Sequence, residues 1–118
     1  MLIISDIVIA FIGLLHVIFM GLEMFLWNKP IGLRVFGHTK EVAALSKVLA
    51  ANQGLYNGFL AAGLFWGLCL SNDGTGLKVF FLSCIIVAGI FGAVTVNRKI
   101  LFLQAIPAVI GVILVLLS

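Results

Sequence analysis

His16 and Glu23 stand seven residues apart in a stretch that is otherwise almost wholly apolar. At about 100° per residue a helix brings both to one face, two turns apart, along with Ser5, Ile9, Ile12, Met20 and Trp27. Imidazole and carboxylate are proton-exchanging groups, and both can also ligate a metal. A second polar group follows in Asn52-Gln53-Gly54-Leu55-Tyr56-Asn57-Gly58, where four hydrogen-bonding side chains crowd into two helical turns. A third point is Gln104, which shares a helical face with Pro107, Ala108 and Gly111. His16, Glu23, Asn52, Gln53, Tyr56, Asn57 and Gln104 are therefore the candidate ligand-binding or proton-exchange residues. His38 could approach Glu23, but the chain has two histidines and neither an HExxH nor a CxxC pattern, so no metal site is expected and no cofactor can be named.

A plainer role competes with each of these. Asn, Gln and Tyr in membrane helices commonly act as interhelical hydrogen-bond glue worth about 0.6–2 kcal/mol. Trp27 and Trp66 suit boundary anchors, and Lys29, Arg34, Lys40 and Lys47 suit topology determinants. His16 with Glu23 resists such a reading, because a carboxylate among apolar neighbours must be paired, hydrated or protonated.

The elements that hold these residues follow from composition. The chain has 118 residues, 64% hydrophobic and 9% charged, with mean hydropathy +1.33, against roughly 45–50% apolar in a soluble domain. A helix needs about 20 residues to cross a hydrocarbon core of about 30 Å, so four crossings with short loops use most of the length. The expected architecture is an all-α membrane protein, an antiparallel four-transmembrane-helix bundle forming a single domain over 1–118, with spans at about 3–27, 43–70, 77–96 and 100–118.

Pro30 discourages helix at the residue before it and closes the first span. The second helix is expected to start near Thr39, with Thr39 as N-cap and Glu41 in its first turn. Ser71-Asn72-Asp73-Gly74-Thr75-Gly76 is a turn, and Asn97-Arg98-Lys99 is a tight hinge before a short, little-tilted fourth span. Met1 to Asp6 carries no Lys or Arg, unlike a cleaved signal peptide, so the first helix is expected to be retained. Cys69 and Cys84 fall at different depths, which argues against a disulfide.

Six of seven basic residues, Lys29, Arg34, Lys40, Lys47, Arg98 and Lys99, flank the first and third loops, and only Lys78 flanks the second. The positive-inside rule then puts loops 28–42 and 97–99 in the cytoplasm and both termini outside. Gly54 and Gly58 on the second helix, and Gly89, Gly92, Ala93 and Val96 on the third, form small-residue strips suited to close packing. Pro107 cannot donate a backbone hydrogen bond, which leaves the Leu103 carbonyl to find another donor. The polar residues gather in the cytoplasmic half, so a pocket is expected to open there.

With His16, Glu23-Met24-Phe25-Leu26-Trp27, the block from Asn52 through Gly63, Ala88-Gly89-Ile90-Phe91-Gly92-Ala93-Val94-Thr95 and Gln104-Ala105-Ile106-Pro107 in view, the chain resembles the small bacterial membrane proteins grouped as domain of unknown function 1304. The resemblance covers essentially the whole chain, and the asparagine-rich block is its specific part. It implies a four-helix protein of the bacterial cytoplasmic membrane and carries no catalytic role. Small multidrug-resistance exporters are similar in length and also place a glutamate in the first helix. Theirs lies near mid-membrane, whereas Glu23 lies nearer one edge, so the likeness is one of size.

Three functions fit these residues. The first is binding or proton-coupled transport of a small polar solute or ion, with His16 and Glu23 exchanging protons and the amides and Tyr56 supplying neutral hydrogen bonds. Four short helices enclose little volume, so an aqueous path needs a homo-oligomer. The second is a small intramembrane enzyme acting on a lipid-like or quinone-like substrate, and the third a structural or accessory subunit whose polar groups fix helix register. The lipid bilayer is the expected partner, and basic residues placed at membrane edges rather than on a soluble face exclude nucleic acid.

Overall fold

A computed structural model describes residues 2–118, the side chains of Leu2 and Ile3 excepted. Every regular element among the described residues is helical: α1 (Leu2–Met24), α2 (Pro30–Phe36), α3 (Lys40–Cys69), a 3₁₀ turn (Ser71–Gly74), α4 (Thr75–Thr95), a π-helical turn (Leu101–Ala105) and α5 (Ile106–Leu117). Two of the helical stretches, Ile4–Met24 and Ser71–Thr95, are long and apolar enough to cross a membrane, and Leu101–Leu117 is a shorter apolar one. The described residues form two compact units, one of residues up to Gly13 together with Leu60–Ser118, the other Leu14–Phe59.

In the first unit, Ile9, Ile12, Leu64, Leu82, Ile85 and Ala108 are sealed from solvent and make one hydrophobic core. α4 meets the chain after the hinge closely. A Cβ on Gly89 would lie 2.6 Å from the backbone nitrogen of Ala105, and one on Gly92 would lie 3.0 Å from the Ile100 side chain, so the expected small-residue strip admits backbone at Gly89 and a branched side chain at Gly92. Pro107 explains the π turn. Without its N–H the i→i−4 ladder breaks at Leu103, and Ile106 N–H bonds to Leu101 O, five residues back. The sequence foresees the missing donor but not the re-registered turn. Cys69 and Cys84 are both free thiols.

In the second unit α1 ends at Met24, three residues before the expected limit. Lys29 is extended (φ −90°, ψ 162°), as a residue before proline should be, and its N–H bonds to Leu26 O at 3.1 Å. The connection expected to be merely polar contains α2, seven residues with Pro30 at its first turn. It is too short for periodicity to reveal. Gly37 ends it at φ 68°, a left-handed conformation that disfavours any side chain, and donates to Leu33 O at 2.9 Å. Thr39 then caps α3, its Oγ1 accepting from Val42 N–H at 3.2 Å.

Large apolar side chains are exposed along every long helix, including Ile7 and Phe11 on α1, Leu45 and Val48 on α3, Val87 and Phe91 on α4, and Leu116 on α5.

Candidate functional site

The polar residues of the second unit meet where α1 and α3 pack. A Cβ on Gly54 would lie 2.7 Å from Met24 Cγ and 3.1 Å from the Met20 carbonyl, and one on Gly58 would lie 2.7 Å from Met20 Sδ. These two glycines bring the helices close, and Asn57, one turn beyond Gly54 on that face, is carried inward. Its side chain is 4% exposed, and its amide nitrogen donates to Glu23 Oε1. Glu23 is half-buried in the last turn of α1. The sequence lists a carboxylate and several amides as candidates, and the fold selects one of each.

Asn52, Gln53 and Tyr56 are exposed. Each sits at least about 100° around α3 from Gly54, so close packing at the glycines turns them away from Glu23. Tyr56 instead has its ring 6.1 Å from Phe59. His16 is 0% exposed, with its imidazole edge-on to Phe19 at 5.4 Å. Seven residues of helix put it about 10 Å along α1 from Glu23, beyond the roughly 2.6–3.2 Å of direct proton transfer, so any exchange between them needs a bridging molecule. Gln104 is half-buried in the π turn of the first unit, a conformation frequent at functional sites.

Below Glu23 the connection is pinned around Trp27, which the sequence reading treats as a boundary anchor. Trp27 Nε1 donates to Ser46 Oγ at 3.1 Å, and Ser46 donates to Val42 O at 2.7 Å. His38 Nε2 donates to the Trp27 carbonyl at 3.1 Å, with its ring 4.3 Å from the indole and parallel to Phe36. His38 is thus committed to Trp27 rather than to Glu23. Among the described residues no three His, Cys, Asp or Glu side chains group to hold a metal ion.

Sequence reasoning passed over Lys78. Read as a loop flank, it is in fact 2% exposed and ion-paired with Asp6 at 3.3 Å. The Asp6 side chain remains 39% exposed but turns to the lysine. The available signal was two opposite charges near the same ends of α1 and α4.

The fold and the site define a small all-helical protein with candidate membrane spans and a carboxylate held by an amide between two helices. The family described as "Protein of unknown function (DUF1304)" matches residues 10–116, and the chain belongs to that family. It is 33% identical over 96 residues to the uncharacterized protein YpaA of Lactococcus lactis subsp. lactis (strain IL1403), covering 80% of this chain and 81% of that one. No solved structure matches the chain.

Proposed function

We propose that the protein is an antiparallel bundle of four transmembrane helices in the bacterial cytoplasmic membrane, in which Glu23 exchanges a proton against a small polar solute or cation held by Asn57. The observation that carries this reading is the buried Asn57 amide on the Glu23 carboxyl, in a chain whose long helices each expose large apolar side chains. Soluble monomers rarely expose contiguous apolar patches above a few hundred Å², whereas lipid covers such a surface at no cost. An ionisable group kept at membrane depth is a functional site by default, since it costs about 2.5–3.5 kcal/mol at a helix centre on insertion scales. α3 is long enough to cross despite its polar block, and the basic residues flanking loops 28–42 and 97–99 support a cytoplasmic position for both, with the termini outside. The exposed Asn52, Gln53 and Tyr56 suit a second copy of the chain, which a homo-oligomeric path would supply.

Reconstituted in proteoliposomes, the wild type is expected to show pH-dependent solute or cation flux, and Glu23→Gln to abolish that dependence while remaining folded. Identical pH profiles for the two would sink the transport reading. One observation favours a second reading, a register-fixing accessory subunit: Gly54, Gly58 and Asn57 lock α3 onto α1 whether or not anything binds. On that reading Glu23→Gln keeps its partner and changes nothing but stability. The full burial of His16 speaks against the enzymatic alternative, which needs the imidazole within reach of a substrate.

A further inference from the structure

The first unit contains a polar site at the end of α4 away from the Asn97-Arg98-Lys99 hinge, the end opposite to the one where the sequence places a pocket. Lys78 lies in the first turn of α4 with its side chain almost wholly buried. Its stem is held by packing, since a Cβ on Gly67 would lie 2.9 Å from Lys78 Cγ. Its ammonium donates to Asp6 Oδ1 and to the Ser71 carbonyl, both at 3.3 Å, longer than the about 2.7–2.9 Å of a tight charge-assisted bond. The buried member of the pair is thus the cation, and its carboxylate is the one water reaches.

Beside this ammonium is a pocket of about 420 Å³, within the range of roughly 300–1,000 Å³ typical of small-ligand sites. Asn72, Thr75, Ser5 and Ser118 give it polar walls, while Val115 and Leu116 give it an apolar one. Lys78 is the only formally charged side chain among these lining residues. The Thr75 hydroxyl is engaged with Asn72 O at 3.0 Å and the Ser118 hydroxyl with Leu114 O at 2.6 Å. Ser5 Oγ lies 3.4 Å from Ser118 Oγ, and the ammonium and the exposed Asn72 amide are donors that the pocket offers a ligand.

We propose that this pocket holds the phosphate of a phospholipid headgroup. Lys78 supplies the counter-charge in place of Asp6, the Asn72 amide adds a neutral donor, and Val115 and Leu116 pack on the glycerol and the first methylenes. Lysine serves phosphate as a point charge, and the apolar wall favours a lipid over a free phosphate. The proposal rests on the membrane reading above, in which the Ser71–Gly74 turn lies at headgroup depth.

The test uses the full chain in detergent, with binding read by native mass spectrometry and thermal shift. The probes are dioctanoyl phosphatidylglycerol, dioctanoyl glycerol without phosphate, and inorganic phosphate. The phospholipid is expected to bind and the neutral glyceride not to bind. Lys78→Gln should weaken the phospholipid on the order of tenfold, the scale of one charged hydrogen bond. Asp6→Asn, which removes the competing carboxylate but keeps its shape, should strengthen binding several-fold, and it carries the test if Lys78→Gln does not fold. Equal binding of the neutral glyceride, or affinity unmoved by Asp6→Asn, overturns the site. Inorganic phosphate binding more tightly than the lipid, with the same dependence on Asp6, overturns the lipid as occupant. Alkaline extraction of the same membranes reads the membrane placement separately: release of the protein sinks that reading, whereas retention without lipid binding sinks only the headgroup site.

Discussion

Asn57 and Gln53 are both amides on α3, and no chemical difference between them explains why one meets a carboxylate. The difference is angular: Asn57 sits on the Gly54 and Gly58 face, where α1 comes close, and Gln53 sits about 100° away from Gly54. Asn57→Ala should therefore leave Glu23 without its donor and destabilise the protein by on the order of 1–2 kcal/mol, measured by reversible unfolding in detergent. Gln53→Ala, on an exposed position, should stay within about 0.5 kcal/mol. Equal losses at the two positions would show that the amide block acts as a unit rather than through one bond.

Helix contacts in both units depend on glycines whose missing side chains can be tested one at a time. At Gly54 a larger residue meets the Met20 carbonyl and the Glu23 stem as well as the flexible Met24, so Gly54→Leu should cost about 1–3 kcal/mol through overpacking. Gly89→Ala in α4 should cost a similar amount, because the atom it meets, Ala105 N, belongs to backbone that cannot rotate away. Gly21 in α1 has nothing within 4 Å of its added Cβ. Gly21→Ala should be neutral or stabilise by up to about 1 kcal/mol, since alanine loses less backbone entropy in a helix. Thermal unfolding of the three variants side by side checks the ranking.

For the whole molecule, the decisive quantity is the placement of loops relative to a bilayer. On a background with Cys69 and Cys84 replaced by alanine, Asn72→Cys should react with a membrane-impermeant maleimide on intact cells. Arg98→Cys should react only after permeabilisation. The reverse pattern would invert the topology, and reaction at both positions on intact cells would remove one of the crossings. On the proposed membrane reading, lipid covers the exposed apolar side chains of α1, α3, α4 and α5, so extraction should require detergent.

Much of the architecture is legible in the sequence, because hydropathy, proline, glycine and turn residues act locally. The strip at Gly89 and Gly92, the Thr39 cap and the extended Lys29 ahead of Pro30 all follow from short-range rules. Features that local rules do not register were missed: α2 is shorter than two periods of its own pattern, and the π turn depends on how Pro107 and the Gly89 contact are accommodated together. For the site, composition and spacing named the residue types, with Glu23 and Asn57 among seven candidates. Gly54 and Gly58 mark the face of α3 that packs closely, but only the tertiary structure shows that α1 is the helix lying against that face and that Glu23 comes opposite Asn57, since the pairing of two helices is a long-range contact. The same holds at the other end of α4, where Lys78 read as a loop flank. Its burial against Asp6 is a contact between residues 72 positions apart, and no local pattern in the chain encodes it.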